Sequence, residues 1–178
     1  GSGTRSLSGM AIENGIYLRP LLSLTRRQTE EACTEAGIEY WNDPHNENHE
    51  FSRVRVRREV LPVMEEQIGP GIAAALARSA ALLRDDADAL DAIASAEISS
   101  HNLKDLDCSA LELLPRAIRT RILRSAIYAA GAPSGSISAD HIGAVEALVT
   151  SWHGQGLVSL PGGVKVERIS GRLSLSNQ

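Results

Sequence analysis

The sequence predicts a mainly α-helical chain that closes with a small β-meander and opens with the last elements of an α/β unit. Three observations predict this. From Ile72 to Thr150 apolar residues recur at helical spacing among many alanines. After Gly156 the period falls to two, with glycines between short apolar runs. Before Gly37 a single apolar run is followed by a single helical stretch, which is too little for a complete α/β domain.

Taken in order, Ile16–Leu22 reads as a short strand, and Pro20 confines its end to a sheet edge. Thr25 and Gln28 have capping-box spacing for a helix with Ala32, Cys33 and Ala36 on its apolar face, and Gly37 closes it. Arg53 to Arg57 alternates like a strand, but Val56, Val60, Val63 and Met64 repeat like a helix. The helical reading is preferred, with Ser52 as N-cap and a kink or restart at Pro62. Arg53 and Arg57 then share a face, with Arg58 close by and Arg55 turned away. Gly69-Pro70-Gly71 precedes a long helix to Ser99, whose apolar positions are Ile72, Leu76, Leu83, Leu90 and Ile93. A helix from Pro115 to Ala130 carries Arg116, Arg119, Arg121 and Arg124, and Ser138 caps another that reaches Thr150. Leu157–Leu160, Val164–Ile169 and Leu173–Leu175 form the meander, with Pro161-Gly162-Gly163 as a hairpin turn.

Composition excludes several function classes. With 178 residues, 43% hydrophobic and 22% charged, the chain is neither disordered nor collagenous. It holds no apolar run of membrane-spanning length and no signal-peptide pattern, so a cytoplasmic protein without a membrane partner is expected. Cys33 and Cys108, without CxxC spacing, read as reduced thiols. A net charge of −4 confines any nucleic-acid contact to a local patch.

That patch is the segment from Trp41 to Pro62. Arg53, Arg55, Arg57 and Arg58 crowd together behind the turn signal Asp43-Pro44 and Asn46. Crowded guanidiniums repel one another, and an external anion, often a phosphate, would neutralise them. Two readings of the turn stay open: Asp43 and Asn46 bond only to local backbone, or the turn aims side chains at a ligand. For the arginines the plain alternative is pairing with Glu47, Glu50 and Glu59. His45 and His49 have the spacing of paired zinc ligands but lack a third, so no metal site is assigned. The carboxylates Asp85, Asp86, Asp88 and Asp91 read as a solvated helix face, and His101, His141 and His153 as isolated. Walker A, GxGxxG and nucleophile-elbow motifs do not occur.

The same residues carry a resemblance. Gly-Ser-Gly-Thr-Arg-Ser-Leu-Ser-Gly-Met at 1–10, Arg19-Pro20-Leu21-Leu22, Thr25-Arg26, Trp41, Asp43-Pro44, Asn46, Phe51, the arginines 53, 55 and 57, and Val60-Leu61-Pro62 follow one another as in tRNA(Ile)-lysidine synthases. Ala77-Arg78-Ser79-Ala80, the Pro115 helix and Leu160-Pro161-Gly162-Gly163 extend the resemblance over nearly the whole chain. His45 and Val54 depart from the family, which usually has Ser and Asn there. The family's Ser-Gly-Gly-x-Asp-Ser phosphate loop is absent from these residues.

The resemblance implies a ligase that forms a C–N bond while ATP becomes AMP and diphosphate. It uses ATP, Mg2+ and lysine, and its tRNA partner is tRNA(Ile) with a CAU anticodon. Residues 1–50 are then the C-terminal remnant of an α/β PP-loop nucleotide domain, and 51–178 a helical tRNA-binding domain. The chain is expected to be inactive without the phosphate-loop half. Gly1, Ser2 and Gly3 would line the ATP phosphates through their N–H groups. Asp43 and Asn46 would shape the turn. Arg53, the one candidate catalytic residue, and Arg55, Arg57, Arg58, Arg116 and Arg119 would meet RNA. A homodimer stays open. The rival readings are a non-catalytic helical RNA-binding or adaptor module and an ATP-using tRNA thiolase, the latter without a cysteine pattern suited to sulfur transfer.

Overall fold

Helices dominate, and a small antiparallel sheet gathers most of the chain's buried side chains in its later half. The computed structural model describes residues 3–99 and 102–177, which fall into two compact units, Thr4–Leu83 and the residues from Arg84 onward.

The first unit holds α1 (Thr4–Leu7), a two-residue hairpin of β1 (Glu13–Asn14) and β2 (Tyr17–Leu18), and α2 (Arg26–Glu35). The strand expected over Ile16–Leu22 shrinks to Tyr17–Leu18. Gly15, at φ +60°, turns the chain there, and Pro20 cannot donate to a ladder. The capping box of α2 forms as expected: the Thr25 side chain accepts from the Gln28 N–H, and the Gln28 side chain from the Thr25 N–H. Its apolar stripe finds no cover, however, and α2 has no buried residue.

α3 (Ser52–Arg55), a widened π turn (Val56–Val60) and α4 (Leu61–Gln67) follow as one interrupted helix. The interruption sits where Pro62 predicts it. Proline has no N–H, and its ring crowds the carbonyl four residues back. The Leu61 N–H accordingly bonds the carbonyl of Val56, five residues back. The cap differs from expectation. Phe51 occupies the N-cap position without a side-chain bond, while the Ser52 hydroxyl accepts from Arg55 Nη2 at 3.1 Å.

α5 runs from Ile72 to Ile98. Its first amides are satisfied from outside: the Glu65 carboxylate accepts from the Gly71 N–H at 2.5 Å and from the Ala73 N–H at 2.8 Å. Those bonds hold its carboxyl below the usual carboxylate range. The stripe along α5 is not the expected one. Leu76 and Ile93 are exposed, whereas Ala87 and Ala94 are buried, because small side chains let neighbouring helices approach.

The second unit has the core. β3 (Asp105–Asp107), α6 (Cys108–Leu113), α7 (Arg116–Ala129), α8 (Ala139–Thr150), β4 (Val158–Ser159), β5 (Val164–Ile169) and β6 (Arg172–Asn177) complete the chain. The sheet order is β3-β6-β5-β4, all neighbours antiparallel. The meander appears as expected, with β3 added at its edge, where Leu106 pairs with Leu173. Leu106, Val164, Val166, Leu173 and Leu175 point inward and pack with Ile122, Ile127, Val145 and Leu148 of α7 and α8. Cys108 is the first residue of α6, and burial pushes its thiol up.

Gly162 shows why the Pro161 turn needs glycine. It sits at φ +80°, and a Cβ there would lie 2.5 Å from Pro133 Cδ. Gly162→Ala should therefore cost about 1–3 kcal/mol, read as a lower denaturant midpoint at unchanged m-value.

Asp107 caps α6 by accepting from the Ser109 hydroxyl and from the Ser109 and Ala110 N–H groups. Those bonds, led by the hydroxyl, depress its pKa. A depressed carboxyl contributes stability above its unfolded pKa and loses it as pH falls through the folded value. Asp107→Ala should narrow the gap to wild type as the pH drops below the usual carboxylate range. A gap that stays constant down to pH 2 would exclude this role.

Candidate functional site

Local bonds build the segment from Asp43 to Pro62 from its turn upward. The Asp43 carboxylate accepts from the His45 N–H at 2.9 Å and faces His45 Nδ1 at 2.8 Å. The backbone bond first, and the ring bond next, hold the Asp43 carboxyl below its ordinary value. Pro44–Asn46 forms one tight turn, and the Asn48 side chain then accepts from the Glu50 N–H at 2.9 Å. Asp43 thus shapes the turn, while Asn46 contributes its carbonyl.

The arginines divide into two groups. Arg57 Nη2 donates to the Asn46 carbonyl at 2.6 Å, and Arg55 Nη1 to the carbonyls of His49 at 2.7 Å and Glu50 at 2.9 Å. Arg58 pairs with Glu47 at 2.6 Å. Arg53 does something different. Its guanidinium stacks over the Phe51 ring, 4.5 Å from the centroid, and among the described residues it donates no side-chain hydrogen bond. All four are exposed, and Val54 between them is fully buried. The alternative pairings with acidic residues hold only for Arg58. Glu59 faces His49 Nδ1 at 2.5 Å, and Glu50 accepts from Asn48.

Both departures from the family pattern find a place. Val54 is fully buried, and His45 is occupied by Asp43 with its ring 6.0 Å from that of Phe51. Among the described residues no three or more His, Cys, Asp or Glu side chains gather as metal ligands. Gly1, Ser2 and His101 lie outside the described residues. Gly3 is exposed, and a Cβ there would meet nothing within 4 Å.

In the second unit the expected RNA contact at Arg119 needs correction. Arg119 is buried, with Nη2 and Nε on Glu146 Oε1 at 2.8 and 3.1 Å and Nη1 on the Leu114 carbonyl at 3.0 Å. A guanidinium so enclosed serves the fold. Arg116 is exposed and shares Glu146 through Oε2 at 3.0 Å, and Arg121 pairs with Asp91 at 2.6 Å. The sequence reading missed Glu146, although a charge one turn after Ile142 on an apolar helix face was a visible signal. Phe51 was visible as part of the family pattern but its role was not, because a lone aromatic does not reveal what stacks on it.

Two family models match parts of the chain. Residues 1–64 fit the family described as PP-loop domain, and residues 106–174 the family described as TilS substrate binding domain. The chain is 50% identical to the tRNA(Ile)-lysidine synthase of Thermobifida fusca, over 99% of this chain and 55% of that protein. It is 47% identical to that of Streptomyces coelicolor, over 97% of this chain and 51% of that protein. The value for Mycobacterium tuberculosis is 41%, over 95% and 53%. The chain spans about half the length of the relatives it matches. On both domain matches and on identity along nearly its whole length, the chain is similar to about half of a tRNA(Ile)-lysidine synthase.

Proposed function

We propose that this chain is the part of a tRNA(Ile)-lysidine synthase that joins its nucleotide domain to its tRNA-binding domain. Residues 1–50 finish the nucleotide domain and residues 51–178 hold tRNA. The observation that carries the reading is Arg53: a stacked, exposed guanidinium with donors left over, directly after a turn fixed by Asp43. A cation so placed suits phosphate, whose oxygens accept in the guanidinium plane.

The first unit supports the same reading. Between Thr4 and Leu83 only Ser8 and Val54 are buried, while Ile16, Leu18, Leu21 and Trp41 are exposed. Such a unit has too little core to be stable alone, and the portion of the relatives outside this chain supplies the missing cover.

In the proposed reaction ATP adenylates the C2 carbonyl oxygen of the wobble cytidine of tRNA(Ile), whose anticodon is CAU, and diphosphate leaves. The lysine ε-amine then attacks C2. A C–N bond forms, the C–O bond to AMP breaks, and the amine gives up a proton. This chain's residues bind and orient, with Arg53 near the reacting phosphates or the tRNA backbone, Arg116 as a further basic contact, and Arg55, Arg57 and Arg58 beside Arg53 on the same segment. Gly1, Ser2 and Gly3 line the ATP phosphates, and for Gly3 the group concerned is its backbone N–H. The described residues offer no ligand set for Mg2+, so no step is assigned to it here. No helix among the described residues is long and apolar enough to cross a membrane. A cytoplasmic site of action is proposed with the tRNA partner.

Lysine incorporation by the full-length protein into this tRNA tests the reading. ATP-dependent turnover is expected, none is expected from residues 1–178 alone, and a full-length protein without turnover refutes the assignment. In the full-length protein Arg53→Ala should weaken tRNA binding and reduce the slope of log affinity against log salt by about 0.7–0.9. An unchanged affinity and slope would remove Arg53 from the interface.

A further inference from the structure

We infer that Arg55 and Arg57 are positioning residues for Arg53, holding the platform on which its guanidinium rests rather than meeting RNA themselves. The inference rests on the proposed role of Arg53 and deepens it.

The chain from Asn46 to Phe51 is held at its ends by backbone bonds, from Asn46 to Asp43 and from the Val54 and Arg55 N–H groups to the Phe51 carbonyl. Along its length it is held by side chains: Arg58 on Glu47, Glu59 on His49, and Arg55 and Arg57 on its carbonyls. Its amides are served locally: the Glu50 N–H by the Asn48 side chain, and the Phe51 N–H by the Asn48 carbonyl at 3.2 Å. Three of its carbonyls, at 46, 49 and 50, accept from Arg57 or Arg55. Charged donors on neutral carbonyls make stronger bonds than neutral donors do. They therefore fix the path of the segment, and with it the Phe51 ring at its end. Arg53 lies over that ring and, among the described residues, donates no side-chain hydrogen bond, so the direction of its guanidinium follows from where Phe51 is held. Asp43 accepts from the His45 backbone and faces its ring, and the charge of Arg53 adds only the last of the effects that lower its pKa.

The four arginines are thus not equivalent. Arg55 and Arg57 spend their donors on the chain itself, Arg58 spends its charge on Glu47, and Arg53 keeps its donors for an external anion. A preorganised cation loses less entropy on binding than one that must be ordered by the ligand, and that gain is what Arg55 and Arg57 supply.

A double-mutant cycle in the full-length protein, read by tRNA binding across a salt series, tests the inference. Arg57→Ala should lower affinity about fivefold, the worth of roughly one lost hydrogen bond, and leave the salt slope at the wild-type value. In an Arg53→Ala background the same change should have almost no further effect, because Arg57 acts through Arg53. Arg57→Lys, which keeps a donor for the Asn46 carbonyl, should recover most of the affinity. Amide exchange over residues 44–51 should quicken in Arg55→Ala and Arg57→Ala but not in Arg53→Ala. Additive losses in the cycle, a slope reduced as far as in Arg53→Ala, or unaltered exchange over 44–51 would each overturn the inference. If the full-length protein binds no tRNA, the proposed function fails while the exchange data still decide the clamp.

Discussion

A guanidinium has five donors and a charge it cannot shed, and the need to satisfy one such group inside the protein organises the second unit. Arg119 reaches Glu146 on α8 from α7, and the carbonyls of Leu111, Glu112 and Leu114 at the end of α6 accept from its Nη1. One side chain therefore ties three helices, and the sheet packs against two of them. Arg116 completes the account by occupying the other oxygen of Glu146. With every polar group matched, the buried charge specifies one arrangement of the helices, whatever its net contribution to stability.

The two units solve the same problem differently. In the second, arginines sit among apolar side chains, and Arg168 stacks on Trp152 while donating to the last carbonyls of α8, at Leu148 and Val149. In the first, almost nothing is buried, and arginines take over work that a core does elsewhere. Arg19 Nη1 donates to the Ala11 carbonyl beside the first hairpin, and Arg26 bonds Asn42 across the α2 loop. Such exposed bonds are individually weak, so order in that unit depends on several acting together.

How much of this could be read beforehand depended on the range of the interaction. The caps at Thr25 and Ser138 and the helix break at Pro62 rest on residues within five of each other, and the β-meander on alternation within short runs joined by tight turns, so each was legible. β3 was not, because Asp105–Asp107 is a strand only through its pairing with Arg172–Ser174. The buried face of α5 was misread because alanine gives a faint periodic signal beside Leu76 and Ile93. At the site, the arginine cluster and the Asp43 turn were visible. The separation of Arg53 from its neighbours was not, since Asn46 and Arg57 meet across eleven positions of chain. The burial of Arg119 was hidden for the same reason, its partner lying 27 residues away.

The π turn at Val56–Val60 has a consequence for how this segment tolerates change in length. A widened turn holds one residue more than an ordinary helical turn, and that residue is absorbed without unravelling either flank. Removing one residue between Val56 and Val60 would close the turn to regular α-helix and leave α3 and α4 aligned as before. Adding or removing one residue in α4 itself, by contrast, would rotate every later side chain on that helix by about 100°. The turn is therefore a point of slack in the reading frame of the helix, set beside the residues whose placement matters most.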